Sequence, residues 1–182
     1  MALGSTIYVF NVQLADADRG IYENFEIRAA QHPSEAADYL LTRVLAYCLE
    51  YQEGIAFSKG GVSDRDEPTL FVKDLTGSMM LWVEIGTPSA EKLHQASKAA
   101  PRVVVYCHKE AKLLAKLKDA VIHRAETIVV YVLPREFLDA LVQALDRRMT
   151  LSLTVSEGHL YCSVGDTSID CKPEKFSLVS GQ

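Results

Sequence analysis

The sequence predicts a mixed α+β fold in which helices cover the faces of a β-sheet. Three short apolar runs, at 79–85, 102–107 and 127–132, alternate with two segments of helical character. This β-α-β-α-β alternation is typical of a sheet with helices packed on it. Strand-like pairs joined by short turns at both ends of the chain predict an additional N-terminal and C-terminal β-hairpin.

The first half of the chain predicts the N-terminal hairpin, one long helix and two short strands. The hairpin strands at 5–14 and 21–29 flank the turn ADADRG. Apolar residues at helical spacing follow HPSE and predict a helix over 34–52. Short strands are predicted at 55–58 and 69–73, ahead of the strand MMLWVEI.

The second half predicts three more helices. Thr87 as the N-cap and Pro88 at the first helical position predict a helix over 88–99. A further helix is predicted over 109–120, and another begins at Pro134. The closing segments TLSLTV and HLYCSV, joined by SEG, predict the C-terminal hairpin.

The composition is that of an ordinary globular protein. A chain of 182 residues, 48% hydrophobic and 24% charged, predicts a single domain over 1–182 that can bury a sizeable core. No apolar run reaches the roughly 18 residues of a membrane span, and the start of the chain lacks the pattern of a secretion signal, so we expect a cytoplasmic protein without a membrane partner. The four cysteines have no CxxC spacing and are expected to be structural thiols.

The net charge of −5 argues against a protein that stays bound to nucleic acid, but the charge is unevenly distributed. The segment 92–124 contains only two acids and eight basic residues: Lys92, Lys98, Arg102, Lys109, Lys112, Lys116, Lys118 and Arg124. On the predicted 109–120 helix, Lys109, Lys112 and Lys116 form one stripe opposite apolar residues. This stripe is either a contact surface for a phosphate backbone or the solvated face of a packed helix.

Glu84 is unusual because it lies inside an apolar strand. Alternation places it on the same face as Met80 and Trp82, where an ionised carboxylate needs a positive or hydrogen-bonding partner. A hairpin turn centred on Thr76 places Pro68 opposite Glu84, and a shift of one residue places Glu67 or Thr69 there. In each of these registers, Glu67 and Asp66 lie at the same end of the sheet as Glu84.

Carboxylates crowded in this way repel one another unless a cation lies between them, and a hard cation such as Mg²⁺ or Mn²⁺ takes oxygen ligands of this kind. We therefore predict that Glu84 and at least one of Asp66 and Glu67 share a metal ion. The alternative is that Asp66 and Glu67 are solvated loop acids and that Glu84 pairs with a Lys or Arg at a frayed strand end.

The motif DEP, a turn, the strand LWVEIGTP followed by a helix, the upstream HPSE and the start MALGSTIYVFNVQLADADR resemble the YaeQ family of bacterial proteins over essentially the whole chain. That family is similar in fold to the PD-(D/E)XK nuclease superfamily. The resemblance implies a restriction-endonuclease-like α-β-β-β-α-β core, with Glu67 or Asp66 as the first metal-binding acid and Glu84 as the second.

The sequence departs from the superfamily pattern at Gly86, where a catalytic lysine is expected two residues after the second acid. Lys92, early in the 88–99 helix, is the best substitute for that lysine, and Lys98 is a poorer one. Glu35, at the start of the first long helix, is a further candidate because many members of the superfamily carry an acid there. Its alternative role is to interact favourably with the helix dipole.

Two functions follow as expectations. The first is a metal-dependent, nuclease-like enzyme that hydrolyses phosphodiester bonds in nucleic acid, with Glu67, Glu84, Lys92, Asp66 and Glu35 as its site residues. The second is an inactive nuclease-fold module that binds a partner or regulates it. If the partner is nucleic acid, the basic 92–124 segment is the expected contact surface.

Overall fold

The computed structural model describes residues 4–59 and 66–179. The chain forms two compact units, one of Met1–Leu49 with Leu133–Pro173 and the other of Glu50–Val132 with Glu174–Gln182. Each unit has its own β-sheet and is described by itself. The fold is therefore mixed α+β, as the alternation of strands and helices predicts.

The secondary-structure elements alternate along the chain much as expected. In chain order they are β1 (Thr6–Asp16), β2 (Ile21–Gln31), α1 (Ala37–Leu49), β3 (Ala56–Phe57), β4 (Leu70–Lys73), β5 (Met79–Ile85), α2 (Ala90–Ala99), β6 (Arg102–Cys107), α3 (Glu110–Leu117), β7 (Ile128–Val132), α4 (Arg135–Ala144), β8 (Arg148–Ser156), β9 (His159–Val164), β10 (Thr167–Cys171) and β11 (Glu174–Ser177). A single turn of 3-10 helix, Ala125–Thr127, precedes β7.

The first unit contains a five-stranded sheet in the order β10-β9-β8-β1-β2. Both predicted hairpins, β1–β2 and β8–β9, are confirmed and antiparallel. They do not extend the sheet that contains Glu84, however, because β8 pairs in parallel with β1 and the two hairpins together form a sheet of their own. Helices α1 and α4 pack against each other in this unit.

A carboxylate joins the two hairpin turns of the first unit. Glu157 and Gly158 connect β8 to β9 with φ angles of 52° and 73°, the left-handed pair that a tight hairpin turn needs. Their backbone N–H groups donate to the two oxygens of Asp18 at 2.7 and 2.8 Å. Asp18 lies in the turn between β1 and β2, so its side chain holds the ends of both hairpins together.

The second unit contains a six-stranded mixed sheet in the order β11-β7-β6-β5-β4-β3. Its centre is parallel, with β6 between β5 and β7, while β3, β4 and β11 are antiparallel to their neighbours. Trp82, Val103 and Val105 project from one face of this sheet into a core formed with Leu93 of α2 and Leu113 of α3. This face carries the candidate site.

Several predicted boundaries differ from the structure. Helix α1 is shorter at both ends than the predicted 34–52. Helix α2 has Ser89 as its N-cap, two residues later than the predicted Thr87. Helix α3 ends at Leu117, before the predicted 120, because the backbone leaves the helical region at Lys118, where ψ is 134°, and Asp119 follows with a φ of 61°. Strands β10 and β11 are polar and lack clear alternation, and the sequence did not predict them.

The four cysteines are buried and unbonded, as expected of structural thiols. Burial raises the pKa of Cys107 to about 11 and that of Cys162 to about 12, so both thiols are protonated at neutral pH. None of the helices in the described ranges is long and apolar enough to cross a membrane.

We expect Asp18→Ala to lower the free energy of unfolding by about 1 kcal/mol, because two backbone N–H groups lose their charged acceptor at an exposed turn. Urea unfolding followed by circular dichroism measures this change. The matched control is Asp166→Ala, which removes an exposed acid from the turn between β9 and β10 at the other end of β9. Equal stability losses in both variants would contradict a role for Asp18 in joining the hairpins.

Candidate functional site

A β-bulge sets which residue lies opposite Glu84. Leu70 pairs with Val83, and the N–H of Thr69 donates to the carbonyl of Val83 at 3.0 Å. The register therefore places Thr69 opposite Glu84, the shifted alternative, instead of Pro68. The cause is an irregularity between Val72 and Lys73 that gives β5 one extra residue.

The same bulge changes which methionine shares the face of Trp82. Met79 packs against the core cluster that contains Trp82, whereas Met80 is 44% exposed. Simple alternation assigned Met80 to that face, and the prediction is wrong because the extra residue reverses the alternation N-terminal to it. Trp82 and Glu84 lie beyond the bulge and share a face as predicted.

Glu84 is buried, with only 3% of its surface exposed. Its two carboxylate oxygens have different partners. The indole N–H of Trp82 donates to Oε1 at 2.7 Å, and Nζ of Lys92 lies 3.2 Å from Oε2. The expected burial is thus confirmed, and Lys92 supplies the positive partner that a buried carboxylate requires.

The environment of Glu84 affects its protonation. Burial raises the pKa of the carboxyl above its ordinary value, while the Lys92 ammonium and the Trp82 indole oppose that rise by favouring the ionised form. The ionised carboxylate therefore lowers the free energy of unfolding, as charged residues of functional sites often do.

Lys92 reaches Glu84 because of its place on α2. The Ser89 hydroxyl accepts the N–H of Lys92 at 3.2 Å and so begins the helix. Lys92 is therefore the third helical residue, one or two positions earlier than the fourth or fifth expected from a helix starting at Pro88. Side chains on a helix project toward its N-terminus, which directs the ammonium back to the end of β5.

Gly86 lies two residues after Glu84, where the family resemblance led us to expect a lysine, and its backbone conformation favours glycine. Its φ angle is 85°, a conformation that favours glycine, and its N–H donates to the carbonyl of Tyr106 at 2.8 Å. A lysine at this position would be strained. The cation near Glu84 comes from α2 instead.

The two other predicted metal ligands lie in the bend before β4. Asp66 and Glu67 are both exposed. Asp66 lines a cleft together with Lys92, whereas Glu67 is not among the residues that line it. Across residues 4–59 and 66–179, no three His, Cys, Asp or Glu side chains converge as a metal-binding group. A metal ion shared between Glu84 and these acids remains a prediction.

Glu35 belongs to the first unit and has partners of its own. Nε and a terminal nitrogen of Arg43 lie 2.8 and 3.1 Å from its two oxygens, and the N–H of His32 donates to Oε2 at 3.1 Å. These contacts tie the entry to α1, as a structural role would require. A catalytic role for Glu35 stays a prediction.

The basic 92–124 segment does not act as one surface. Arg102 projects from the opposite face of the sheet, where it pairs with buried Glu50. Helix α3 ends at Leu117, so the segment beyond it, where Val121 is 80% exposed, does not continue the stripe. The stripe itself is confirmed as exposed at Lys109, Lys112 and Lys116.

The cleft beside Lys92 has a volume of about 520 Å³. It is lined by Asp66, Ser89, Glu91, Lys92, Gln95 and Lys116.

Lys116 also donates from Nζ to the carbonyl of Thr87 at 2.6 Å, which connects α3 to the loop before α2. The sequence placed Lys116 only in a stripe, because nothing local signals a contact 29 residues away. The indole donor of Trp82 was also missed, although its spacing from Glu84 indicates it.

Comparison with known proteins gives one consistent result. The family model described as YaeQ protein matches residues 1–173. The uncharacterized protein YaeQ of Escherichia coli is 28% identical over 165 residues, which cover 90% of this chain and 91% of that protein. The crystal structure of YaeQ protein from Pseudomonas syringae superposes with a TM-score of 0.81 at 29% identity over 97% of each chain. That from Xanthomonas axonopodis pv. citri does so with a TM-score of 0.84 at 26% identity, over 98% of this chain and 99% of that one.

We expect Gly86→Ala and Gly86→Lys each to lower the free energy of unfolding by about 1–2 kcal/mol, because a side chain disfavours a φ of 85°. Thermal or urea unfolding measures the loss. Met80→Lys, a lysine on the exposed part of the same strand, should change stability by less than about 0.5 kcal/mol. A Gly86→Lys protein as stable as the unsubstituted one would contradict the backbone explanation.

The raised pKa of Glu84 predicts a pH-dependent effect of Glu84→Gln. A carboxyl with a higher pKa in the folded than in the unfolded protein opposes folding once ionised, and this opposition grows as pH rises from about 4.3 through the folded pKa. The stability of Glu84→Gln relative to the unsubstituted protein, measured by urea unfolding at a series of pH values, should therefore increase as pH rises above about 4.3 and become constant above the folded pKa.

The control for this titration is Glu67→Gln, which removes an exposed carboxylate from the same end of the sheet. Its relative stability should be nearly constant over the same pH range. A flat or falling difference for Glu84→Gln would show that the pKa of Glu84 is not raised.

Proposed function

The chain belongs to the YaeQ family, and we propose that it is a metal-dependent, nuclease-like phosphodiester hydrolase whose site is built on Glu84 and Lys92. One observation carries the proposal. Lys92 Nζ lies 3.2 Å from the buried carboxylate of Glu84, so a lysine accompanies the acid although Gly86 cannot supply one. An acid and a lysine at one strand end are the pair that such hydrolysis needs.

The order of elements supports the proposed nuclease-like core. From α1 to β6 the chain runs α-β-β-β-α-β. Strands β3, β4 and β5 form an antiparallel meander, and β6 returns parallel to β5 after α2. This is also the order of the core of the PD-(D/E)XK superfamily, to which the YaeQ family is similar in fold. In that core Glu84 occupies the strand that carries the second acid.

The residues at the end of β5 suit a divalent cation. The oxygen Oε2 of Glu84 already accommodates the ammonium of Lys92, so a positive charge is favourable at this point. Mg²⁺ keeps several waters and is often held by only one or two carboxylates, which Glu84 with Asp66 or Glu67 would provide. When bound, Mg²⁺ or Mn²⁺ would polarise a phosphoryl oxygen and activate water as the nucleophile.

The protein groups then have separate tasks. The Trp82 indole holds Oε1 of Glu84 and so sets the plane of the carboxylate. Burial of Glu84 keeps this end of the strand in a low dielectric, where charges interact more strongly than in water. The ammonium of Lys92, which is on a flexible stem at the cleft, would stabilise negative charge that develops on the phosphodiester.

A second candidate function is a nuclease-fold module that binds a partner or regulates it without hydrolysis. The observation that favours it is that both oxygens of Glu84 already have protein donors. On this alternative, Lys92 and Glu84 form a structural ion pair that lets the strand end be buried. Nucleic acid or another phosphorylated partner would then bind without being cleaved.

We expect Glu84→Gln and Lys92→Met each to reduce cleavage by about 100-fold or more, because each removes a charged group from the site. Lys98→Met is the matched control, since Lys98 is an exposed lysine in the last turn of the same helix. Cleavage of plasmid and single-stranded DNA is followed on gels in Mg²⁺ or Mn²⁺, with EDTA as the blank, and thermal unfolding checks that each variant is folded.

The same experiment separates the two functions. Cleavage that requires the metal and is lost in both site variants, but not in Lys98→Met, supports the hydrolase. If the unsubstituted protein cleaves neither substrate in either metal, or if Lys92→Met cleaves as well as Lys98→Met, the hydrolase is rejected in favour of the binding module.

A further inference from the structure

Lys116 is a second lysine at the cleft, and it comes from a different helix than Lys92. Its ammonium donates to the carbonyl of Thr87 at 2.6 Å. An ammonium has three N–H donors, so this bond leaves two for a ligand. Because the bond also restricts a flexible side chain, less conformational entropy is lost when Lys116 binds something in the cleft.

The charges around the cleft make Lys116 distinctive. The ammonium of Lys92 is paired with the carboxylate of Glu84. Within the described part of the chain Lys116 makes no ion pair, and its one hydrogen bond is to a neutral carbonyl. Lys116 is therefore the cation of the cleft whose charge is available to an anion.

The cleft as a whole is not basic. Three carboxylates, of Glu84, Asp66 and Glu91, face or adjoin it, against the two ammonium groups of Lys92 and Lys116. This excess of negative charge would repel an anion unless a bound divalent cation made the net charge of the cleft positive. A ligand that enters together with a metal ion, and places a negative group against Lys116, fits these charges.

The direction of α3 extends this contact out of the cleft. Lys112 lies one turn before Lys116, about 6 Å away along the helix axis, and Lys109 precedes it by a further three residues. Lys112 and Lys116 are exposed and four residues apart, which places them on the same side of the helix, and Lys109 is the exposed residue at its N-cap. A row of lysines that starts in the cleft suits a ligand with repeated negative charges, such as a nucleic-acid backbone.

The residues that line the cleft also indicate which part of the ligand they contact. The described residues that line the cleft are polar or charged, and none of them is aromatic. Bases are usually held by stacking on aromatic rings, so this cleft is suited to the sugar-phosphate backbone and not to bases.

We propose that Lys116 binds a backbone phosphate of a nucleic-acid strand, adjacent to the phosphodiester at Glu84 and Lys92, with Lys112 next along that strand. This inference rests on the proposed function, whose substrate it describes. It assigns recognition to the backbone, so binding is independent of base sequence and sensitive to salt.

The test is binding of a fluorescein-labelled 15-nucleotide single-stranded DNA, followed by fluorescence anisotropy in Ca²⁺, with gels to check that the DNA is intact. We expect Lys116→Gln to weaken binding about fivefold to tenfold, and to lower the slope of log affinity against log salt by about 0.7, the value for one lost phosphate contact. Lys116→Arg keeps the charge and should bind within about twofold of the unsubstituted protein.

The matched control is Lys118→Gln, which removes an exposed lysine at the C-terminal end of α3 that does not line this cleft. It should change the affinity by less than about twofold. Equal effects of Lys116→Gln and Lys118→Gln, an unchanged salt slope in Lys116→Gln, or no DNA binding by the unsubstituted protein would overturn the proposal.

Failure of this inference differs from failure of the proposed function. If the protein cleaves DNA through Glu84 and Lys92, and Lys116→Gln binds and cleaves normally, then Lys116 is not the phosphate contact but the hydrolase stands. If Lys116→Gln weakens binding and the unsubstituted protein cleaves nothing in Mg²⁺ or Mn²⁺, Lys116 is a phosphate contact of a binding module.

Discussion

The candidate site depends on one requirement, that a carboxylate buried on an apolar sheet face needs a cation. Glu84 lies beside Trp82 on the face that α2 covers, where an unpaired charge is strongly unfavourable. The capping of α2 at Ser89 places Lys92 one turn into the helix, within reach of that charge. The left-handed backbone at Gly86 ends β5, and the start of α2 then supplies the cation for Glu84.

Glu84 differs from the other buried acids of the described chain in the identity of its partner. Each of the others is paired with an arginine, in the pairs Asp16–Arg19, Glu35–Arg43 and Glu50–Arg102. Arginine binds a carboxylate through a rigid planar fork, which suits a permanent structural pair, whereas lysine is a point charge on a flexible stem. The pair of Glu84 and Lys92 is thus the buried pair best able to open for a metal ion or a phosphate. The choice of lysine as the partner of Glu84 thus bears both on the stability of the sheet and on the proposed hydrolysis.

Much of the second sheet could be predicted because it is encoded locally. The bounds of β5 and β6 agree with their apolar, β-branched runs, and alternation correctly placed Glu84 on a buried face with Trp82. Features that leave no local signal in the sequence were not predicted. The bulge beside Val72 has no marker in the sequence, and it moved the register by one residue. The polar strand β10 forms because it pairs with β9, not because of its own composition.

The sequence by itself determined that an acid would be buried at the end of β5, since side-chain direction in a strand follows from a period of two. It left the partner of that acid open as a Lys, Arg or hydrogen-bonding group, and named Lys92 only as the best substitute for the lysine that the family resemblance implies. Only the tertiary structure paired Lys92 with Glu84, through the capping of α2 and its packing on the sheet. Tertiary structure also brought Lys116 to the cleft from a separate helix, because a contact between distant segments depends on how whole elements pack, and residue spacing does not record that.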